Sequence, residues 1–185
     1  MSGPRSIIPL LLVGTLAGGA LPKTGRSAPF AADPVAGDAL AWTIGRWEGE
    51  RVEAGTGDRA RLATEVAPVL GGAGVEERLE IRGAGTPYRG LYLEVFDPAI
   101  RKSVLMYVNA SRREFARLEG TAGADRAEWL STTARPPRGS RLTYERVDSD
   151  RWRRTQWVSE DSGMHWTVLF TDEMRRSKSP AVPRP

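Results

Sequence analysis

Short β-rich segments separated by turn signals recur along most of the chain, and this repetition limits its fold more than any other feature. Glycine-rich or aspartate-containing turns, such as 54–58, 71–74 and 148–150, follow one another at intervals of roughly 10 to 15 residues. Apolar residues at helical spacing are lacking beyond one short turn at 38–44. We therefore predict an all-β, antiparallel up-and-down barrel of about ten strands. The predicted strands are Arg46–Glu53, Leu62–Val69, Val75–Arg82, Tyr88–Asp97, Lys102–Asn109, Glu114–Gly120, Ala127–Thr133, Arg141–Val147, Arg151–Ser159 and Trp166–Arg176.

Cysteine is absent from the 185 residues. The chain therefore forms no disulfide and offers no thiolate ligand to a metal. Its length suits one domain with a full hydrophobic core better than two. Hydrophobic residues at 40% and charged residues at 27% are typical of a globular protein rather than a disordered or membrane-embedded one. Packing within one domain therefore has to hold the fold together.

The N-terminus has the layout of a secretory signal. Arg5 precedes an apolar run over 7–17, and small residues up to Ala20 follow that run. A transmembrane helix needs about 20 apolar residues, so the run is too short for an integral membrane span. We expect residues 1–20 to be a signal peptide and the protein to be exported, either to a periplasm or out of the cell. A disordered apolar leader is the alternative.

Composition also sets the domain boundaries. Residues 21–39 are rich in Pro, Ala and Gly without periodicity and are predicted to be a disordered linker. The strands then occupy a domain over 40–176. Residues 177–185 contain three prolines and are predicted to be a disordered tail.

The positive charge of the chain lies mainly in its tails. The formal net charge is +4, but residues 40–176 carry 22 Lys and Arg against 21 Asp and Glu, a net charge of +1. A nucleic-acid-binding domain concentrates positive charge on one face of the fold. The even balance over the strands therefore argues against nucleic acid as a partner.

The sequence IGRWEGE at 44–50 contains a Gly-x-Trp pattern at the start of the first predicted strand. This pattern resembles the calycin superfamily of lipocalins and their relatives, in which the tryptophan lies across the barrel floor and an arginine of the last strand packs on it. The resemblance implies that Trp47 is the floor tryptophan and that Arg175 or Arg176 is its partner. A guanidinium over an indole face contributes about 1–2 kcal/mol when partly desolvated.

A longer resemblance is to an uncharacterised bacterial calycin-like family, domain-of-unknown-function family 1579. The similar stretches are 45–49, 88–98 and 159–168, which occur in the expected order across most of the domain. The chain departs from the family at Ser103 and Tyr107, where bulky indoles are usual. The resemblance implies a calycin-like barrel and specifies no activity.

Aromatic side chains come from most of the predicted strands, and they would form a cavity wall if several of them pointed inwards. Tyr107 and Asn109 share a face of the fifth strand, and Arg153 and Trp157 share a face of the ninth. On the ninth strand we prefer the register that turns Arg153 and Trp157 inwards. A one-residue slip would turn Trp152, Arg154 and Gln156 inwards instead. The candidate ligand-binding residues are Trp47, Tyr92, Tyr107, Asn109, Arg153 and Trp157.

Reactive groups are sparse. A haem-binding barrel of the nitrobindin type resembles this architecture and uses a histidine near its C-terminus. His165 is the only histidine here, and it is predicted to lie in a turn facing solvent. Zinc needs three or four ligands. Glu76 and Glu80 share a strand face and could act as an acid pair, but exposed strand faces are normally polar. We therefore predict no metal site, no cofactor and no catalytic residue.

The leading hypothesis is an exported, non-enzymatic barrel whose partner is a small hydrophobic or aromatic ligand held in the lumen. A filled barrel acting as a structural or interaction module of the cell envelope is the alternative. A haem-binding barrel, or an enzyme with polar groups at the barrel mouth, is a third hypothesis. A lumen of several hundred Å³ would favour binding over a filled barrel, because ligand pockets measure about 300–1,000 Å³.

Overall fold

The computed structural model describes residues 39–83, 88–109, 114–131 and 139–178. A short 3-10 helix over Ala41–Thr43 precedes the strands, and a second one spans Leu70–Gly72. The strands are β1 (Gly45–Glu53), β2 (Arg59–Val69), β3 (Gly74–Arg82), β4 (Tyr88–Asp97), β5 (Lys102–Asn109), β6 (Glu114–Ala122), β7 (Arg126–Ser131), β8 (Gly139–Asp148), β9 (Arg151–Ser159) and β10 (Thr167–Arg176).

Each strand pairs in antiparallel fashion with the next along the chain, and β1 pairs with β10 to close the ring. In that closing pair Trp47 lies opposite Arg176 and Glu53 lies opposite Phe170. Closure leaves no free sheet edge among the ten described strands. The predicted ten-stranded, antiparallel up-and-down barrel with a short N-terminal helical turn is confirmed.

Most strand boundaries differ from the predicted ones by three residues or fewer. The predicted signal peptide (1–20), nearly all of the predicted linker (21–38) and the end of the predicted tail (179–185) lie outside the described residues. Within the part of the chain that the structure describes, no helix is long and apolar enough to cross a membrane.

Alternation along the strands divides each one into an inward and an outward row of side chains. β3 shows the pattern clearly, because Val75, Leu79 and Ile81 are buried while Arg78 and Arg82 are exposed. The inward rows of the ten strands fill the interior, and their positions along the strands define two ends of the barrel.

We call one end the closed end. It contains the start of β1, the end of β10 and the 3-10 helix over Ala41–Thr43. Its interior is filled by large side chains that are at most 2% exposed, namely Leu40, Trp47, Trp129, Trp152 and Met174. We call the opposite end, where β1 ends and β10 begins, the open end. The connections from β3 to β4, from β5 to β6 and from β7 to β8 at that end lie outside the described residues.

Candidate ligand-binding site

The open end contains a cavity of about 530 Å³ inside the barrel. Its wall is largely aromatic and aliphatic, with the rings of Tyr88, Tyr92, Tyr107 and Phe170 exposed to the cavity. The rings of Tyr92 and Tyr107 pack against each other, with their centroids 4.7 Å apart. The volume falls within the range of about 300–1,000 Å³ that is typical of small-molecule sites.

A few polar side chains interrupt this apolar wall. The Nδ2 of Asn109 donates to Oε2 of Glu114 at 3.2 Å. The Nε2 of Gln156 donates to the hydroxyl of Ser140 and, at 3.3 Å, to the carbonyl of Trp157. An apolar wall with a few placed polar groups is the usual composition of a ligand pocket, because the polar groups orient what the apolar surface holds.

Arg51 also lines the cavity, and it joins the cavity to a layer of buried charge beneath it. Its Nε and Nη2 donate to the two oxygens of Asp172 at 2.7 and 2.9 Å. The ring of Phe170 covers the guanidinium, with 3.4 Å between Cζ and the ring centroid. Asp172 is fully buried, and Arg51 is only 8% exposed.

Arg154 continues this layer across the barrel. Its Nε donates to Oδ2 of Asp172 at 2.7 Å, and its Nη1 donates to Oε1 of Glu77 at 2.8 Å. Burial by itself would lower the pKa of Arg154, but the carboxylates of Glu77 and Asp172 hold the pKa well above its ordinary value. These buried groups form what we call the ionic layer, which consists of Arg51, Arg154, Asp172 and Glu77. The ionic layer combines two positive and two negative charges.

Hydroxyl groups add further hydrogen bonds to the ionic layer. The Oη of Tyr144 donates to Oε2 of Glu77 at 2.6 Å, and Oγ1 of Thr64 donates to Oε1 at 3.0 Å. Buried charges are tolerated only when they are paired and hydrogen-bonded. Both carboxylates of the layer are engaged by guanidinium groups, and neither lines the cavity. The layer thus lies under the cavity and carries no net charge.

Tyr92, whose ring centroid lies 5.2 Å from Cζ of Arg154, remains protonated at neutral pH. Burial raises the pKa of Tyr92 to about 12, against the opposing effect of the positive charges of Arg154 and Arg51. Its hydroxyl is consequently a hydrogen-bond donor.

The closed end contains the predicted floor pair. Cζ of Arg176 lies 4.2 Å from the ring centroid of Trp47, within the range of about 6 Å at which a cation attracts an aromatic face. Trp47 is 2% exposed, and its Nε1 donates to the carbonyl of Thr43 at 2.6 Å. Gly45 has a φ of 137°, and a Cβ there would lie 2.5 Å from Nη1 of Arg176. The Gly-x-Trp pattern therefore leaves room for the arginine. Arg175 pairs with Glu48 across the strands and is exposed.

A third buried acid lies beside the closed end. Glu94 is 2% exposed and accepts a hydrogen bond from the hydroxyl of Ser103, which in turn accepts one from Nε1 of Trp129 at 2.7 Å. Its other oxygen, Oε2, has no partner within the described residues. Burial raises the pKa of Glu94 to about 7, although the hydrogen bond from Ser103 opposes the rise.

The six candidate ligand-binding residues fall into three groups. Tyr92, Tyr107 and Asn109 line the cavity. Trp47 lies at the closed end. Arg153 and Trp157 lie on the outer face of β9, so the preferred register of that strand is wrong.

The inward row of β9 is Trp152, Arg154 and Gln156, the register given as its alternative. Arg153 instead pairs with Glu173 on the surface, with 2.6 Å between Nε and Oε1. Burying the indole of Trp152 in the closed end fixes this register, because every second residue then points inwards.

Sequence reasoning missed the ionic layer, although the required signal was present. Trp47 was predicted to point inwards, and on a strand the residue four positions later points the same way, which places Arg51 inside. Glu77 lies between the inward residues Val75 and Leu79 on β3 in the same manner. Strand alternation thus identifies buried charged residues as well as buried apolar residues.

The outward positions of the other candidate groups agree with their predicted placement. His165 lies in the turn between β9 and β10 with its side chain 88% exposed, and its Nδ1 pairs with Asp161. Glu76 and Glu80 lie on the outer face and pair with Arg78 and Arg82. Across the described ranges, no three His, Cys, Asp or Glu residues are grouped so that they could hold a metal ion.

Similarity to known proteins is found among solved structures, at low sequence identity. No family model matches the chain, and no curated protein matches it. Among solved structures, a de novo designed fluorescence-activating β-barrel is 18% identical, with a TM-score of 0.44 over 76% of this chain and 98% of that one. EF1p2_mFAP2b bound to DFHBI is 8% identical, with a TM-score of 0.45 over 77% of this chain and 99% of that one. Likenesses at these TM-scores carry no weight for function.

Proposed function

We propose that this chain is an exported, calycin-like barrel that binds one small hydrophobic or aromatic molecule in the open-end cavity. The observation that carries the proposal is the cavity of about 530 Å³ within the barrel. Small barrels either fill their interior with side chains or hold one ligand there. The closed half of this barrel is filled and its open half is not, which supports a ligand over a purely structural role.

The lining supports an aromatic ligand in particular. Four aromatic rings face the cavity, and paired rings offer offset or edge-on packing to a third ring. Asn109 and Gln156 are placed to orient a polar substituent of the ligand. We propose Tyr92, Tyr107, Asn109, Arg51, Gln156 and Phe170 as the residues that contact it.

Titration with the neutral fluorophore N-phenyl-1-naphthylamine tests this proposal. We expect a saturable rise in its emission at a stoichiometry of one molecule per chain, because the dye moves from water into an apolar cavity. The variant Ala116→Phe places a ring in the cavity and is expected to weaken the binding at least tenfold.

Ala63→Phe is the matched control, because it adds the same ring to the exposed outer face of β2 and is expected to leave the titration unchanged. Far-ultraviolet circular dichroism of both variants checks that they are folded. A flat titration of the wild-type chain, or equal binding by folded Ala116→Phe, would overturn the proposal. Either result would favour the alternative, a structural or interaction module of the cell envelope.

Export is tested separately. The full chain is produced in a bacterial host, and the periplasmic and secreted fractions are analysed by intact-mass spectrometry. We expect a mass that corresponds to loss of residues 1–20. Recovery of uncleaved protein from the cytosol alone would contradict export.

A further inference from the structure

We propose that the ligand is an uncharged molecule that presents a hydrogen-bond acceptor, such as a carbonyl oxygen, to Arg51 and Tyr92 at the deep end of the cavity. This inference rests on the proposed function and adds the chemical class of the ligand. It follows from two donors and from the charge balance beneath them.

Two buried donors line the deep end of the cavity. The Nε and Nη2 of Arg51 are used by Asp172, but its Nη1 has no partner among the described residues. The hydroxyl of Tyr92 likewise has none in the described part of the chain. Arg51 is 8% exposed and Tyr92 is 6% exposed. A ligand without an acceptor would desolvate these donors and leave them unsatisfied, which is unfavourable.

The charge balance disfavours an anionic ligand. Arg51 is already neutralised by Asp172, and the ionic layer as a whole contains equal numbers of positive and negative groups. Glu53 and Glu114 add two further acidic side chains to the cavity lining. A carboxylate placed at the deep end would therefore be a buried negative charge with no cation left to balance it.

A cationic ligand is disfavoured at the same place for the opposite reason. The group that faces the deep end is the guanidinium of Arg51, which offers only donors, so a cation placed there would be a buried positive charge with no acceptor facing it. Tyr92 also offers its proton rather than a phenolate. A neutral acceptor is the one chemical group that satisfies both donors without adding charge.

Competition against N-phenyl-1-naphthylamine with three ligands of matched shape tests the inference. The ketone 2-acetylnaphthalene carries a neutral carbonyl, and the hydrocarbon 2-isopropylnaphthalene carries no acceptor. The third ligand, 2-naphthoate, carries a negative charge. At pH 7.5 we expect the ketone to bind about tenfold more tightly than the hydrocarbon, the difference that one hydrogen bond typically makes. We expect 2-naphthoate to bind more weakly than the ketone.

Tyr92→Phe separates the hydroxyl from the rest of the cavity. Because the hydroxyl has no partner in the described structure, this variant is expected to fold as the wild type does. It should weaken the ketone about fivefold and change the hydrocarbon by less than twofold. Thr171→Val removes a hydroxyl from the outer face of β10, away from the cavity, and is the matched control, with less than twofold change for either ligand.

The outcomes distinguish the two proposals. Equal affinity for ketone and hydrocarbon, tightest binding of 2-naphthoate, or an unchanged ketone affinity in Tyr92→Phe would each overturn the inference and leave ligand binding in place. Failure of the wild-type chain to bind the fluorophore and all three ligands would overturn the proposed function as well.

Discussion

The closed and open ends of the barrel consist of the same ten strands but use their interior in different ways. At the closed end, the indoles of Trp47, Trp129 and Trp152 fill the space between the strands. At the open end the inward side chains are smaller or lie against the wall, as Ala116 and Leu118 do, and a cavity remains. The ionic layer separates the two.

This difference shows how one barrel can combine stability with an internal cavity. Edge-on contacts, such as that between Trp47 and Trp152 at 6.0 Å, pack the closed end densely. The ionic layer balances its two positive charges with two negative ones, so it needs no charged ligand. The open end can therefore serve ligand binding while the closed end stabilises the fold. Changes at the two ends should consequently have unequal effects on stability.

Removal of one charge from the ionic layer should have the largest effect. Arg154→Met leaves Glu77 and Asp172 with too few cations, and an uncompensated buried charge lowers the free energy of unfolding by on the order of 5 kcal/mol. Urea denaturation measures this change. Arg153→Met, one residue along on the outer face, removes an exposed ion pair and is expected to cost less than about 1 kcal/mol. Equal costs for the two variants would contradict the assignment of β9 register.

Truncation of the floor tryptophan should have the next largest effect. Trp47→Ala removes a buried indole and its contact with Arg176, and we expect a loss of about 4 kcal/mol in the free energy of unfolding. Trp157→Ala on the half-buried outer face of β9 should cost less than half as much in the same denaturation experiment. A larger loss for Trp157 would show that the closed end is not the main packing centre.

Stability should also depend on pH through Glu94. Its pKa is raised to about 7 in the folded protein by burial, so the folded state holds a proton that the unfolded state has already lost above pH 4.5. The contribution of this group to stability is therefore complete below pH 4.5 and is lost as the pH rises towards 7, by on the order of 3 kcal/mol.

Glu94→Gln removes the titration and isolates that contribution. The difference in unfolding free energy between the wild type and Glu94→Gln should shift in favour of the variant between pH 4.5 and 7, and then level off. A difference that stays constant over this interval would show that Glu94 is already ionised in the folded protein.

Overpacking compares the two ends most directly but should have a smaller effect. Ala127 on β7 is 1% exposed within the core, whereas Ala116 on β6 lines the cavity. Ala127→Phe should lower the free energy of unfolding by about 2 kcal/mol because the closed end has no room for a ring. Ala116→Phe should change it by less than about 0.5 kcal/mol, since the ring enters vacant space. Similar losses for the two variants would show that the cavity is collapsed in solution.

Much of this architecture could be predicted from the sequence, since turn signals and alternation determine strand number and antiparallel order. The positions of Tyr92, Tyr107 and Asn109 on the inner wall follow from the same alternation. The register of β9 could not be decided, because tryptophan and arginine occur on both of its faces. The pairing of Arg51 with Asp172 joins residues 121 positions apart, and no local pattern reports such a contact.

Crystallography of the protein soaked with 4-bromoacetophenone tests the central claim most directly, because the anomalous signal of bromine locates the ligand. The account predicts one bromine site inside the open-end cavity, with the carbonyl oxygen within hydrogen-bond distance of Nη1 of Arg51 or Oη of Tyr92. The closed end should contain no ligand. A cavity without bromine signal at a saturating concentration, or a ligand inserted among Trp47, Trp129 and Trp152, would contradict it.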